Sequence, residues 1–418
     1  MNNLQPAFNI GMVGNVSHGK TTTIRALTGI DTFKYSKEKE KGITMKLGYT
    51  NCKIFKCNNC MKNNRQESDC YYSTNDKITN LVCNWCKNDC VLVKYFSFVD
   101  CPGHESLMGT MLSGATVMDY ALLLIDGSQP CPQPQTIEHL AALEILRVKK
   151  IIILQNKLDL VNYDDAMENY NQIKIFVKDT CAESAPIIPI SAQKQYNISV
   201  LCEYIYKYFE EINRDNNTIK MNIIRSFDIN KPGCQIQDIV GGVIGGSIIS
   251  GKLTVGDEIE IRPGIVEKSM NKLTWRPIKT HVVCLKSDSS ILNQALPGGL
   301  IGVCTHLDPS LTKSDGMIGQ VVGIPGSMPD VYTTLNAKCV FMRRILLNIK
   351  VIKPKNNQHV LLSISSKSIG AVIKSIKNSI YNFELDYPCC INIGDIFSIS
   401  VKIEGSWRLI GMGTLIEI

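Results

Sequence analysis

The stretch Gly14-Asn-Val-Ser-His-Gly-Lys-Thr21 decides the fold, because it satisfies the pattern G-x-x-x-x-G-K-[ST] between a predicted strand and a predicted helix. The apolar run 8–13 precedes it, and the helical run 22–27 follows it. In such a loop, glycines let backbone N–H groups surround phosphates, a lysine reaches the β and γ oxygens, and a threonine hydroxyl ligates Mg²⁺. We therefore predict a nucleotide-binding loop with the following residues: Gly14, Asn15, Val16, Ser17, His18, Gly19, Lys20, Thr21 and Thr22.

Short aliphatic runs alternate with longer helical runs from residue 8 to about residue 213, which is typical of parallel βαβ units. Each predicted strand is soon followed by Gly, Asp, Asn or Ser, so the functional loops lie at the carboxyl ends of the strands. We predict an α/β domain with a parallel, doubly wound sheet over residues 1–213. Its strands are predicted at 8–13, 95–99, 121–125, 151–154 and 187–190.

Three short motifs follow in the order that a GTP-hydrolysing switch protein needs. In Asp100-Cys-Pro-Gly103-His104, the acid can hold Mg²⁺ through water and the glycine amide can sense the γ-phosphate. In Asn156-Lys157-Leu158-Asp159, the last carboxylate can accept both N–H donors of guanine, which adenine does not offer. In Ser191-Ala192-Gln193, the backbone amides can reach guanine O6. The set predicts a site for GTP and GDP.

A polar segment between the phosphate loop and Asp100 contains Lys41-Gly42-Ile43-Thr44. A threonine there completes Mg²⁺ coordination only when GTP is bound, which makes the loop an order–disorder switch. Without the other motifs a solvated loop is an equal alternative; with them we favour the switch. The Mg²⁺ ligands are predicted at Thr21, Thr44, Ser17 and Gly42.

The 17 cysteines are unevenly distributed, and seven of them lie between positions 52 and 90. The pairs Cys57-x-x-Cys60 and Cys83-x-x-Cys86 have the spacing of a four-thiolate zinc knuckle. In a reducing compartment such a cluster indicates metal rather than disulfides. We predict a Cys-rich insertion over residues 52–90 that holds Zn²⁺. Cys70 or Cys90 could replace one ligand, and reduced, unliganded cysteines are the alternative; the other cysteines are expected to be small buried residues.

The pattern changes after a polar stretch that begins near residue 213. From 221 to 329, short alternating strands are separated by Gly and Pro turns, and a second turn-rich β pattern runs from 332 to 418. Both are typical of all-β barrels. We predict β-barrel domains at 219–329 and 330–418.

Composition and hydropathy argue against a disordered, a membrane-spanning or a secreted protein. The chain of 418 residues has 44% hydrophobic and 20% charged residues, which is ordinary for globular domains. Its longest apolar runs are far shorter than the ~18 residues of a membrane span, and its N-terminus lacks the pattern of a secretory signal. We expect a cytoplasmic protein without a membrane partner. Residues 331–418 carry eleven Lys and Arg against five acids, which indicates either an RNA-binding surface or a solvated face.

These motifs resemble those of the translational GTPases, and within them those of the gamma subunits of archaeal and eukaryotic initiation factor 2. Elongation factor Tu shares the first and third of the matching stretches, whereas the Cys-rich insertion and the segment Cys131-Pro-Gln-Pro-Gln are similar to the gamma subunits. The resemblance extends over almost the whole chain. The matching stretches are 14–20, 42–49, 99–104, 131–140, 226–233, 297–303 and 407–411.

The resemblance implies a GTP-dependent carrier of initiator methionyl-tRNA to the small ribosomal subunit. It implies a heterotrimer in which the alpha subunit binds the first barrel and the beta subunit binds the GTPase domain, with GTPase-activating and guanine-nucleotide exchange factors as further partners. It assigns to His104 the orientation of the attacking water, and to the Cys-rich insertion a zinc knuckle. It also implies that the acceptor end of the tRNA lies between the GTPase domain and the first barrel, so that Tyr49 is a candidate tRNA contact.

The sequence departs from the family pattern at a few positions. Asn15 stands where the family usually has histidine, Lys41 where it usually has arginine, and Ser17 where some relatives carry an acid. Lys41 cannot form the bidentate contacts of an arginine. Two other functions remain open: an elongation GTPase for ordinary or selenocysteinyl-tRNA, and a non-translational GTPase such as the regulatory subunit of a sulfate-activating enzyme.

Overall fold

The structure, a computed structural model, divides into two compact units. The first contains Met1–Met111 and Met118–Ile212, and the second contains Leu112–Val117 and Asn213–Ile418. None of the helices in the described part of the chain is long and apolar enough to cross a bilayer. The described residues are 5–31, 44, 47–62, 65–104, 107–214, 218–269, 272–288, 290–342, 344–346, 349–350, 353–403 and 405–417.

The first unit is built on a seven-stranded sheet with the strand order β3-β2-β4-β1-β5-β6-β7. The five strands from β4 to β7 in this order are parallel, as predicted, whereas β2 pairs antiparallel with both of its neighbours. The sheet is therefore mixed rather than purely parallel. Its strands are β1 (Asn9–Gly14), β2 (Gly48–Lys56), β3 (Tyr71–Asn75), β4 (Val91–Asp100), β5 (Tyr120–Asp126), β6 (Lys150–Asn156) and β7 (Ile187–Pro189).

Strands β2 and β3 lie partly or wholly inside the range predicted as a Cys-rich insertion, 52–90. Seven of the nine residues of β2 are buried, including Cys52, which belongs to the main core of the first unit. A strand buried on both faces shows no polar–apolar alternation, which is why this stretch gives no periodic signal. The part of the chain that leaves the sheet is thus shorter than the predicted insertion.

Helices cover the sheet of the first unit. Helix α1 begins after Gly19 and ends at Gly29, both of which have the left-handed backbone conformation (φ 94° and 70°). Glycine takes this conformation without steric cost, so both ends of the helix are fixed by the sequence. The helices in this part of the chain are α1 (Lys20–Thr28), α2 (Asn58–Lys62), α3 (Met108–Ala115, of which residues 112–115 belong to the second unit), α4 (Pro134–Ile145), α5 (Tyr163–Val177) and α6 (Ile198–Tyr208).

The second unit begins with a closed barrel. Six strands follow one another around it in the order β11-β16-β8-β9-β15-β12, and β12 closes the ring by pairing with β11. Buried apolar side chains fill the interior, among them Ile223, Ile259, Leu285 and Val303. Its elements are β8 (Lys220–Phe227), β9 (Val243–Ser250), β10 (Leu253–Thr254), β11 (Glu258–Ser269), β12 (Lys272–Ser287), β13 (Ser290–Leu292), β14 (Gln294–Ala295), β15 (Leu300–Thr305), α7 (Pro309–Thr312) and β16 (Val321–Gly323).

A second closed barrel follows, with the strand order β17-β22-β21-β20-β23-β24. The predicted fold class, an α/β GTPase-type domain followed by two β-barrels, is therefore confirmed. We propose that the boundary between the barrels lies between β16 and β17, as in the predicted division at 329/330. The strands are β17 (Val331–Phe341), β18 (Arg344–Leu346), β19 (Ile349–Lys350), β20 (His359–Ile364), β21 (Lys367–Lys377), β22 (Ile380–Cys390), β23 (Ile396–Ile403) and β24 (Ser406–Leu415).

Candidate nucleotide site and metal centre

The loop between β1 and α1 packs tightly against its surroundings. A Cβ atom at Gly14 would lie 2.5 Å from the carbonyl oxygen of Leu124, and one at Gly19 would lie 2.2 Å from Nδ2 of Asn156. Both glycines also have positive φ angles, as does Ser17 at 61°. The two glycines of the motif are thus required by the space around the loop as well as by its backbone conformation.

Lys20 provides a buried positive charge under this loop. Its Nζ donates hydrogen bonds to the carbonyl oxygens of Gly14 and Asn15, each at 2.7 Å. Burial lowers the pKa of Lys20 to about 8, although the nearby Asp100 acts to raise it. The backbone of Gly103 lies against the ammonium group, since a Cβ there would be 2.4 Å from Nζ. A phosphate in this place would stabilise the charged form of the lysine.

Three of the residues proposed for Mg²⁺ coordination or its water shell meet in the structure. The hydroxyl of Thr21 donates to Oδ2 of Asp100 at 2.8 Å and lies 3.3 Å from Oγ1 of Thr44. Hydroxyl and carboxylate oxygens are the donors that Mg²⁺ prefers, so this group fits the ion. Ser17 is exposed and lines the same cleft, and its metal role stays a prediction. Gly42 lies outside the described residues.

The predicted guanine loops are tied to the phosphate loop by one buried amide. Nδ2 of Asn156 donates to the carbonyl oxygen of His18 at 2.8 Å, and the backbone N–H of Ala192 donates to Oδ1 of Asn156 at 3.0 Å. Segments that are 138 residues apart are thereby held together. Asn156 therefore connects the phosphate loop to both predicted guanine motifs.

The carboxylate of Asp159 is exposed but has a fixed orientation. The hydroxyl of Ser191 donates to its Oδ1 at 2.5 Å, and the backbone N–H of Lys194 donates to the same hydroxyl at 3.2 Å. Leu158 is half-buried beside it, and Gln193 is exposed. The structure therefore brings the acid of the second guanine motif against the serine of the third.

Lys157 has a partner that the sequence reasoning missed. It takes the left-handed conformation (φ 66°), and its Nζ lies 2.7 Å from Oδ2 of Asp126. Burial acts to raise the pKa of Asp126, but hydrogen bonds from Lys157 and Ser128 outweigh it and lower that pKa. Asp126 directly follows the predicted strand 121–125, which is the signal that could have indicated its role.

His18 contributes to the loop through its backbone, whereas its side chain is buried beneath. Burial lowers its pKa to about 4, so the ring is neutral and Nδ1 donates to the carbonyl oxygen of Leu124 at 3.0 Å. Two further residues, Arg25 and Asp31, line the cleft and were also missed. Arg25 is four residues after Thr21 on α1, so helical spacing could have found it.

The other two predicted contacts, His104 and Tyr49, lie just after β4 and on β2. His104 is exposed directly after Gly103, and its carbonyl oxygen accepts a hydrogen bond from the backbone N–H of Leu107 at 2.9 Å. Tyr49 is half-buried on β2, where it pairs with Val99 of β4. The roles of His104 toward water and of Tyr49 toward tRNA stay predictions.

The predicted zinc ligands converge. The sulfur atoms of Cys57, Cys60, Cys83 and Cys86 all lie within 4.8 Å of one another, with the closest pairs at 3.4 and 3.5 Å. Zn–S bonds of 2.3 Å in a tetrahedron place sulfur atoms about 3.8 Å apart, so the four thiols fit Zn²⁺. Among the described residues, this group contains neither of the two proposed substitutes, Cys70 and Cys90.

One thiol of this cluster, that of Cys83, has a lowered pKa and so ionises readily. Burial opposes the thiolate of Cys83, but hydrogen bonds from the hydroxyl of Tyr72 and from the backbone N–H groups of Cys86 and Trp85 outweigh it and lower the pKa to about 5. The Tyr72 hydroxyl is 3.3 Å from the sulfur. A thiolate is the form that binds a metal. Tyr72 had no signal in the sequence, because it reaches the cluster from β3.

The expectation that the other cysteines are small buried residues is only partly correct. Cys101 and Cys202 are buried, but Cys181 and Cys234 are exposed. Three more, at 131, 284 and 304, are half-buried. The expectation failed for these because cysteine is short enough to stand on the outer face of a strand or in a surface loop.

Comparisons with known proteins support a GTP-binding domain in this part of the chain. Residues 5–211 match the family model for the elongation factor Tu GTP binding domain, and residues 333–415 match that for initiation factor eIF2 gamma, C terminal. The chain is 47% identical to eukaryotic translation initiation factor 2 subunit 3 of Drosophila melanogaster, over 98% of this chain and 89% of that protein. The chain belongs to the gamma-subunit family of translation initiation factor 2.

Other members of the gamma-subunit family are equally similar. Translation initiation factor 2 subunit gamma of Methanocaldococcus jannaschii is 47% identical over 98% of both chains. Eukaryotic translation initiation factor 2 subunit gamma of Schizosaccharomyces pombe is 46% identical over 99% of this chain and 94% of that protein. As a gamma-family member, the protein is a GTP-binding initiation factor subunit and a translational GTPase, which favours this function over the two alternatives.

Solved structures share the fold at lower identity. A bacterial selenocysteine-specific elongation factor is 20% identical with a TM-score of 0.72, and this chain spans only 58% of its length. Elongation factor SelB of Methanococcus maripaludis, solved in complex with the GTP analogue GppNHp, has the same identity and TM-score, with coverage of 99% of this chain and 79% of that one. These likenesses establish the arrangement of elements in a gamma-family chain and nothing about its substrate.

Proposed function

We propose that in the cytoplasm this gamma-family subunit carries initiator methionyl-tRNA to the small ribosomal subunit in its GTP state, and releases it after GTP hydrolysis follows start-codon selection. The meeting of Thr21, Thr44 and Asp100 supports the proposal. Thr44 belongs to the predicted switch segment, and its hydroxyl approaches the phosphate loop. A change at the γ-phosphate would therefore be transmitted to that segment.

Guanine is selected by the carboxylate of Asp159. It accepts the N1–H and N2–H donors of the base, and the hydroxyl of Ser191 keeps the carboxylate in place. The backbone amides of Ser191, Ala192 and Gln193 would reach O6, with the N–H of Ala192 exchanging Oδ1 of Asn156 for the base. Adenine offers the opposite pattern of donors and acceptors, so with ATP the carboxylate of Asp159 would lose both donors that it accepts from guanine.

Hydrolysis depends mainly on position and charge. The phosphate loop and Lys20 hold the β- and γ-phosphates, and His104 orients the attacking water. Thr21 and Thr44 would hold Mg²⁺, with Asp100 acting through water; when bound, the ion neutralises charge on the β and γ oxygens. We expect slow hydrolysis until a GTPase-activating partner completes the site.

The partner surfaces follow from the resemblance. The alpha subunit would bind the first barrel and the beta subunit the GTPase domain, and an exchange factor would reload GTP. The acceptor end of the tRNA would lie near Tyr49, whose ring can stack on a base. We also propose that the four-cysteine cluster holds Zn²⁺ as a structural ion.

The deciding experiment measures binding of initiator methionyl-tRNA to the subunit, alone and in its heterotrimer, with a GTP analogue and with GDP over a series of salt concentrations. We expect tighter binding in the GTP state, with a salt dependence that reports phosphate contacts. Elongator methionyl-tRNA is the control for the identity of the tRNA. Equal affinity in the two nucleotide states would reject the switch.

A further inference from the structure

Two cysteines of the first barrel face each other outside the nucleotide and zinc sites. Cys284 on β12 and Cys304 on β15 are direct partners in the antiparallel register, and their sulfur atoms are 2.6 Å apart. Opposed residues in such a pair have Cα atoms about 4.5–5.5 Å apart, which lies within the range that a disulfide spans. The backbone therefore already has the spacing that a bridge between these residues needs.

The pair lies on the outer face of the barrel. Its neighbours Leu285 and Val303 are also register partners, and both are fully buried in the barrel core. Because successive side chains of a strand point to opposite faces, the two sulfur atoms point outward. Both cysteines are half-buried. The register of β12 against β15 shifts between Val282 and Cys284, so strict alternation is interrupted there and Val283, which is 41% exposed, lies on the outer side next to Cys284. Small molecules in solution can thus reach the thiols.

The immediate surroundings favour approach of an anion. Gly302 stands two residues before Cys304 on the same face, and a Cβ there would have its nearest neighbour 3.9 Å away. Lys286, which is exposed, pairs with Gly302 across the strands. Burial and the hydrogen bond with Cys284 raise the pKa of Cys304 to about 11, whereas Lys286 acts to lower it. The absence of a side chain at Gly302 and the positive charge of Lys286 lie beside the sulfur pair.

No other cysteines in the described part of the chain combine proximity with exposure in this way. The four thiols of the zinc cluster are close together, but they are arranged for a metal. Cys389 and Cys390 are adjacent in sequence and buried. Cys181 and Cys234 are exposed, and no sulfur contact joins either of them to a second described cysteine.

We propose that Cys284 and Cys304 are a site of reversible oxidation, forming a cross-strand disulfide by exchange with a small anionic disulfide such as glutathione disulfide. One protein thiolate attacks a sulfur of the reagent, whose S–S bond breaks and releases one glutathione thiolate. The second protein thiolate then displaces the other glutathione. Two protein thiols lose two electrons, the reagent is reduced to two thiols, and the two protons pass to them through solvent.

The first test uses the whole native chain with its zinc retained. The protein is equilibrated with mixtures of reduced and oxidised glutathione, quenched with acid, alkylated and digested for mass spectrometry. We expect a linked peptide pair containing Cys284 and Cys304, two hydrogen masses below the sum of the reduced peptides, and about a tenfold loss of their alkylation. Dithiothreitol should reverse both changes.

Variants distinguish this pair from general thiol oxidation. Cys284→Ser and Cys304→Ser should each abolish the linked peptide, and the remaining cysteine should carry a single glutathione. Cys234→Ser removes an exposed cysteine of the same barrel and should leave the linked peptide unchanged. Because the first test needs no variant, a poorly folded mutant would not affect it.

Two results would overturn the proposal. One is full alkylation of Cys284 and Cys304 under conditions in which Cys234 has already been glutathionylated. The other is a linked peptide in which either cysteine is joined to a different partner. Both results are independent of tRNA and GTP binding, so failure of this inference would be distinguishable from failure of the proposed function.

Discussion

The nucleotide cleft and the cysteine cluster both lie in the first unit, and both gather ligand atoms for an ion, but they are assembled differently. The cleft joins segments as far apart as His18 and Asn156, which are 138 positions apart. The cluster joins Cys57 to Cys86, which are 29 positions apart, through two short turns. The geometry of the nucleotide cleft therefore depends on how the sheet brings distant segments together. The geometry of the cysteine cluster depends on turns that are close in the chain.

Their surroundings differ as well. The strands that carry the cleft share a large apolar core that includes Phe8, Phe96 and Leu122. The core of the cluster is small and consists of Phe55 together with cysteines. A segment that buries so little apolar surface needs metal binding to hold its conformation, whereas a large core does not. We expect the cleft to keep its shape without Mg²⁺ and the cluster to lose its shape without Zn²⁺.

The largest expected effect comes from removing one zinc ligand. Cys83→Ser should reduce bound zinc from about one per chain to less than half, because structural zinc contributes ~10–16 kcal/mol through all four ligands together. GTP affinity should change by less than about threefold, since the cleft rests on a separate core. Metal analysis after purification without added zinc, together with nucleotide titration, checks both.

Cys52→Ala is a suitable control, because Cys52 is buried on β2 outside the four-thiol group. It should retain zinc. Equal loss of zinc and of GTP binding in Cys83→Ser would show that the two sites are not independent. Less than half an equivalent of zinc in the unaltered protein would count against the metal site itself.

Removing the central hydroxyl of the cleft should have the next largest effect. Thr21→Ala deletes the oxygen that contacts both Asp100 and Thr44, so GTP affinity in Mg²⁺ should fall on the order of 100-fold. Isothermal titration in Mg²⁺ and in a chelator measures the change. The loss should largely disappear without Mg²⁺, and zinc content should be unaffected. An equal loss in both buffers would refute a metal role for Thr21.

Replacing the predicted water-orienting residue should separate binding from chemistry within the cleft. His104→Ala should slow GTP hydrolysis on the order of 100-fold, which is the lower end of what a positioned acid–base side chain contributes. GTP affinity should stay within about threefold, since the ring is exposed outside the phosphate loop. Single-turnover hydrolysis and equilibrium binding are compared. Loss of nucleotide binding in this variant would contradict the assignment.

The smallest expected effect is a pH dependence. The pKa of Lys20 is lowered to about 8 by burial, and a bound phosphate would raise it. Affinity should therefore be constant well below pH 8 and decrease as pH rises through it, by about fourfold between pH 7 and pH 8.5. Zinc retention should not decrease over this interval, because higher pH favours thiolates. Nucleotide affinity that is flat or rises with pH would contradict the role of Lys20.

Contiguous motifs could be predicted well from the sequence. The phosphate loop needs only one strand, one turn and one helix start, and its glycines have the φ angles that the pattern demands. The paired cysteines were predictable for the same reason, because each turn is local. In both cases the residues that define the chemistry are neighbours in the chain.

Partners supplied by other strands could not be predicted. Asp126 pairs with Lys157 and Tyr72 reaches Cys83 because strands β5 and β3 lie where the sheet places them. Likewise, β2 gave no periodic signal because it is buried on both faces. These contacts depend on strand order and register, which are fixed by the packing of the whole sheet.

For this chain, the amino-acid sequence alone specified the class of the domains, the nucleotide chemistry and the identity of most candidate ligands. The tertiary structure decided which of these atoms meet: Thr21 with Asp100, Asn156 with His18, and Cys284 with Cys304. The physical reason is how far apart the interacting residues are along the chain. A motif records the conformation and donors of a few consecutive residues, whereas a contact between distant residues exists only after burial of the apolar core has fixed the register of the strands that carry them.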